Sequence, residues 1–118
     1  MSADHIHFFL QLRNEIKLHH WQTHIYARHI ATDNVLKSLE KLIDSFVEIY
    51  IGKYGRPRIT GKNAELTLHN LSEPGIVRVI NAAIKIFTSV LNILSNSFLF
   101  FNLFNSSKDT LLFIRISI

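Results

Sequence analysis

Apolar residues recur at helical spacing in two long stretches, separated by a polar middle rich in turn residues. Ile6, Phe9, Arg13, Ile16 and His20 step by three and four, with Leu10 and Leu12 alongside, which predicts a first helix over about residues 4–22. Ser2 or Asp4 is placed to cap it. Leu36, Leu39, Ile43, Phe46 and Tyr50 repeat the spacing, with Val47 in phase, and predict a second helix over about residues 25–51. Thr23 is the expected cap at the turn, and Gly52 suits the terminating position, where glycine enters the left-handed region without strain. So short a link forces the two helices to be antiparallel neighbours. Trp21 and Tyr26 are expected to pack that turn rather than to take part in redox chemistry.

Residues 53–74 form the long connection. Ala64–Leu68 alternates in part but has no evident pairing partner, so it reads as loop. A third helix is predicted over about residues 75–103, opening on Ser72, Glu73 and Pro74 and keeping period through Ile76, Val79, Ile80, Ala83 and Ile84. Residues 108–118 read as the first turns of a fourth helix that the chain does not finish. The expectation is one all-α domain spanning residues 1–118, an antiparallel up-down bundle with a short fourth helix.

Composition sharpens this. Both prolines and all 4 glycines fall in residues 52–75, which leaves breaker-free stretches on each side. With no cysteine there is no disulfide and no thiolate site, so any metal is held by imidazole and carboxylate. The formal charge of +4 is too small to imply a nucleic-acid binder, although Lys53, Arg56, Arg58 and Lys62 make the connection basic. That connection lacks the Gly-rich spacing that cradles phosphate, and no serine stands near a histidine in the manner of a nucleophile and its base. No signal peptide is visible, and a cytoplasmic location is expected. Residues 86–107 run 22 positions without a charge, the length of a membrane span. Their asparagines, serines and threonine favour a buried bundle helix instead.

Six of the seven histidines lie in residues 5–29, and the second helix carries His29, Asp33, Glu40, Asp44 and Glu48. At about 100° per residue from His29, Asp33 falls near 40°, Glu40 near 20°, Asp44 near 60° and Glu48 near 100°. Leu36, Ile43 and Val47 fall near −20°, −40° and 0° by the same measure, so the acids are expected to border the apolar face. Carboxylates so placed need partners when the face packs. Two readings stand: structural histidines beside ordinary surface pairs, such as Glu40 with Lys37 or Lys41, or a metal site.

The run His20-Trp21-Gln22, with Tyr26, His29, Asp33, Asp44 and Glu48, resembles the mini-ferritins (Dps-like proteins) of the ferritin-like superfamily. Their ferroxidase motif is His-Trp-Asn, then His-x-x-x-Asp, then Asp-x-x-x-Glu. The stretch LHHWQTHIYARH…LIDSFVEIYIGKYG is also similar to a little-characterised ferritin-like family of large DNA viruses and phages. Gln22 stands where the mini-ferritins have Asn, the His20–His29 interval is shorter, and their basic DNA-binding tail is missing; His24, four residues after His20, is a substitute donor.

A di-iron centre inside one bundle needs Glu-x-x-His from two helices, and no Glu-x-x-His occurs in this chain. What the resemblance implies is a site shared across a two-fold interface, in a homo-oligomer formed through the first two helices. There His20, His29 and Asp33 of one subunit face Asp44 and Glu48 of the other, with His24 and Glu40 in a second tier. Iron is the implied metal, with zinc or manganese as alternatives, and ferroxidase action or iron sequestration the implied function. The competing expectation is a non-enzymatic viral or phage accessory bundle that keeps the fold without the chemistry.

Overall fold

The computed structural model describes residues 3–94, and within them the chain is helical with no strand. Three α-helices, α1 (Asp4–Gln22), α2 (Tyr26–Tyr54) and α3 (Glu73–Leu94), are joined by a three-residue turn and a long connection holding a single 3-10 turn, Gly61–Ala64. The tail of the predicted third helix and the partial fourth helix lie outside the described residues. The uncharged window 86–107 also extends beyond them, and among the described residues no helix is long and apolar enough to cross a membrane.

Helix α1 is the central element, packed against both α2 and α3. The pairs Phe9–Phe46, Arg13–Glu40 and His20–Thr32 make α1 and α2 antiparallel. Phe9, Leu12 and Ile16 of α1 meet Leu36, Leu39 and Phe46 of α2, and Ile76, Ile80 and Ala83 of α3 close the same core from the other side. Phe9 and Phe46 are wholly buried, edge to face, with ring centres 4.8 Å apart.

The helix ends differ from expectation for identifiable reasons. Asp4 does not cap α1; it occupies the first turn, where a carboxylate suits the positive end of the helix dipole, and accepts from Asn63 Nδ2 at 2.7 Å. Thr23 does not cap α2 either. Ile25 holds that position, because the Thr23 hydroxyl is committed to donating to Glu73 while accepting the Ile25 N–H at 3.2 Å. Helix α2 passes through Gly52 and ends three residues later than Ile51. Gly55, at φ 85°, supplies the left-handed residue and donates its N–H to Ile51 O at 2.9 Å. Helix α3 begins at Glu73, two residues before the expected 75: Ser72 Oγ accepts the Gly75 N–H at 3.0 Å and its carbonyl accepts the Ile76 N–H.

The connection is not a free loop. After the 3-10 turn, residues 65–71 run as an extended strap along α1, every second residue meeting one turn of the helix. Asp4 holds Asn63; His7 Nε2 donates to Glu65 O at 2.7 Å; Gln11 clasps the Thr67 backbone; Glu15 accepts from His69 Nδ1 at 2.8 Å; and His19 Nδ1 donates to Leu71 O at 3.3 Å. Two extended residues rise about 6.6 Å, and four helical residues about 6 Å. The repeats match, so a polar stripe on a helix holds a strap that no strand pairs with.

Candidate functional site

His20 lies in the last turn of α1 and His29 in the first turns of α2, brought together by the short link. Their rings stack at 4.0 Å with planes 14° apart. Each ring donates to the other residue's backbone: His20 Nδ1 to His29 O at 2.7 Å, and His29 Nδ1 to His20 O at 2.8 Å. Both acceptors are carbonyls, so both histidines are held as the Nδ1–H tautomer. In the neutral form that leaves each Nε2 with a lone pair, and among the described residues neither Nε2 has a hydrogen-bond partner. A backbone carbonyl on Nδ1 is the usual outer support of a metal-bound histidine. Near-parallel rings cannot both aim their in-plane lone pairs at one ion about 2.1 Å away, so each ring is a separate donor.

The carboxylates are distributed differently from expectation. Asp33, one turn after His29, pairs with Lys37 at 3.4 Å. Glu40 pairs with Arg13 of α1 at 3.4 Å, rather than with Lys37 or Lys41. Asp44 and Glu48 are exposed and, among the described residues, make no ion pair or hydrogen bond. The expected border position of this acidic stripe is therefore wrong for its far end. Val35, Leu39, Leu42 and Phe46 are buried where Val47 is only half-buried, which turns the packed face about 80° from His29 on the side away from the acids. Asp44 also lies about 22 Å along the helix from His29. One chain does not gather the five residues: among the described residues no three His, Asp or Glu side chains are placed to hold a metal.

His24 is exposed in the turn. Trp21 and Tyr26 do not pack that turn as expected; they are 67% and 78% exposed, with Lys17 Nζ 5.2 Å from the Trp21 ring centre. The turn is too short to fold back over them, and the core side of its helices is already taken by His19, His20 and Thr32.

Among the described residues the most densely connected carboxylate is Glu73, which the sequence marked only as part of a helix start. It accepts from Thr23 Oγ1, from Arg28 Nη1 at 2.6 Å and from His19 Nε2 at 3.2 Å, while Arg28 also donates to the Glu73 carbonyl at 3.0 Å. The Thr23 hydroxyl first, then Arg28 and His19, hold its carboxyl below the usual carboxylate value, against the opposing effect of burial. His19 is 2% exposed and sets each ring nitrogen against an acceptor, Leu71 O and Glu73 Oε2. Adjacent histidines thus serve different neighbours: His19 clamps α3 and the strap, and His20 clamps α2.

A family model matches residues 20–109 of this chain. The chain belongs to DUF5856, a family of unknown function. No curated protein and no solved structure matches it. The DUF5856 match begins at His20 and takes in His29, Thr32, Asp33, Asp44, Glu48 and the Glu73 clamp, while most of α1 precedes it.

Proposed function

We propose that this DUF5856 protein is a ferritin-like helical protein that binds a divalent transition metal at a site completed between two copies of the chain. The observation that carries the reading is the exchange of carbonyls between His20 and His29, which leaves two Nε2 donors, each for a separate ion, at the α1–α2 seam. Asp44 and Glu48, exposed one turn apart on α2 and without an ion pair among the described residues, are the carboxylates a second copy would bring. Asp33, with His24 and Glu40 behind it, completes the donor set. Imidazole and carboxylate suit Fe²⁺, and equally Mn²⁺ or Zn²⁺. In the ferroxidase form of this reading Fe²⁺ is the substrate and oxygen or peroxide the oxidant.

Metal content of the purified full chain tests it, measured beside His29→Ala and Asp44→Ala. The reading expects bound iron, zinc or manganese that both substitutions remove. Equal and negligible metal in all three contradicts it.

A second reading is a helical accessory protein without metal chemistry. It is favoured by the stack itself, because each histidine already satisfies the other's backbone, and by the Lys37 partner of Asp33. Light scattering separates the two: a large closed oligomer accords with the first, a metal-free monomer with the second.

A further inference from the structure

The net charge of this chain sits in one place. Residues 53–62 hold Lys53, Arg56, Arg58 and Lys62, with no acid across residues 49–64. The rest of the chain carries nine basic and nine acidic residues, so the whole formal charge of +4 is the charge of this segment. Arg56, Arg58 and Lys62 are exposed and make no ion pair among the described residues. Exposure alternates from Arg56 to Thr60, with Pro57 and Ile59 half-buried. The segment thus turns its apolar residues to the protein and its arginines to solvent. A Cβ at Gly52, Gly55 or Gly61 would meet nothing within 4 Å, so the backbone around the cations is open. Nearby acids do not cancel them: Asp4 accepts from Asn63, and Glu48 stands about 140° around α2 from Lys53. Glu65, exposed just past the 3-10 turn, marks the edge of the patch.

The position of the segment is a second observation. The Asn63–Asp4 bond sets it against the start of α1. Helix α3 runs antiparallel to α1, from Glu73 beside His19 to Ile86 in one groove with Phe8, so it leads the chain out at this same end. From Ile86 the sequence continues to Ser107 without a charge. Tyr54, 50% exposed with its ring centre 5.2 Å from that of Tyr50, stands next to Lys53. Clustered cations beside an exposed tyrosine, at the end where uncharged chain leaves the bundle, match an anionic bilayer surface. A nucleic acid would use the same cations, but uncharged chain adds nothing to phosphate binding.

We infer that residues 53–62 are a docking surface for an anionic lipid bilayer, with Lys53, Arg56, Arg58 and Lys62 on the headgroups and Tyr54 at the interface. The contact is peripheral, needs no spanning helix and is independent of the metal-binding reading.

The test is co-sedimentation of the full chain with phosphatidylcholine vesicles, with and without phosphatidylserine, for wild type, Arg56→Gln/Arg58→Gln and Lys17→Gln. Both arginines are exposed, so the double variant should keep the wild-type melting temperature. Wild type is expected to bind only the vesicles that contain phosphatidylserine, and to leave them in ~1 M salt, where charges are screened within about 3 Å. Each cation lost near the surface weakens binding about fivefold, so the double variant should bind about 25-fold more weakly. Lys17→Gln removes a cation beside Trp21, towards the other end of α1, and should bind as wild type does. Equal binding to both vesicles, binding to neither, or binding that survives the salt overturns the inference. A double variant that binds as wild type does, or a Lys17→Gln chain weakened as much as the double variant, also overturns it. So does arginine-dependent binding of single-stranded DNA without vesicle binding, which would make the partner a nucleic acid.

Discussion

Gln11 and Thr67 form a closed amide pair: the Gln11 side chain donates to the Thr67 carbonyl and accepts the Thr67 N–H, the latter at 2.9 Å. A glutamine on a helix thereby takes the place that a neighbouring strand would have, and satisfies one extended residue on both its backbone groups. The pair sits midway along the strap, between the His7–Glu65 and Glu15–His69 contacts.

Gln11→Leu is therefore expected to release the strap without melting the bundle. Both bonds are exposed, so losing the pair costs about 0.5–1.5 kcal/mol for each of them. Hydrogen exchange should show the Thr67 amide much faster, while the amides around Phe46 keep their protection. An unchanged Thr67 amide would mean that the strap is held by something else.

Phe46→Ala tests the core. Phe46 is fully buried on the Phe9 ring, and truncating such a residue costs about 3–5 kcal/mol. Denaturant unfolding should show most of the stability gone, since a small helical domain has little to spare. A loss under about 1 kcal/mol would place the core elsewhere.

Acid should act through Glu73. Its folded carboxyl is held below the ordinary value of 4.5, so the unfolded chain binds the proton first as pH falls. The stabilisation is complete above that ordinary value and is lost as pH falls through the depressed folded value. Glu73→Gln removes this linkage while keeping hydrogen-bonding groups for Thr23, Arg28 and His19. Melting temperature followed from neutral pH into the carboxylate range should fall more steeply in wild type than in Glu73→Gln. Parallel curves would show that Glu73 does not carry the acid limb.

The helices were legible because their signals are local. Breaker-free runs and three-four spacing placed α1 and α2, and Ser72-Glu73-Pro74 placed the start of α3. The rotation of α2 was not, since Val47 and Phe46 are both apolar and only packing decides which goes inside. That His20 and His29 belong to one site is what the resemblance implies, but their exchange of carbonyls depends on backbone atoms that no side-chain pattern encodes. The strap was half visible: its alternation was seen, but the partner is a polar stripe of period four on a helix rather than another strand. Glu73 gathers Thr23, Arg28 and His19 from 45 to 54 positions away, beyond any local signal.

The central claim is that His29 of one chain and Asp44 of another serve the same metal. The most direct measurement is metal content after His29→Ala and Asp44→Ala chains, each metal-free alone, are unfolded together and refolded as a mixture. Each mixed pair then holds one site with both its His29 and its Asp44 intact, so the account predicts that the mixture recovers bound metal where neither variant alone has any. A mixture as empty as its two components would contradict it.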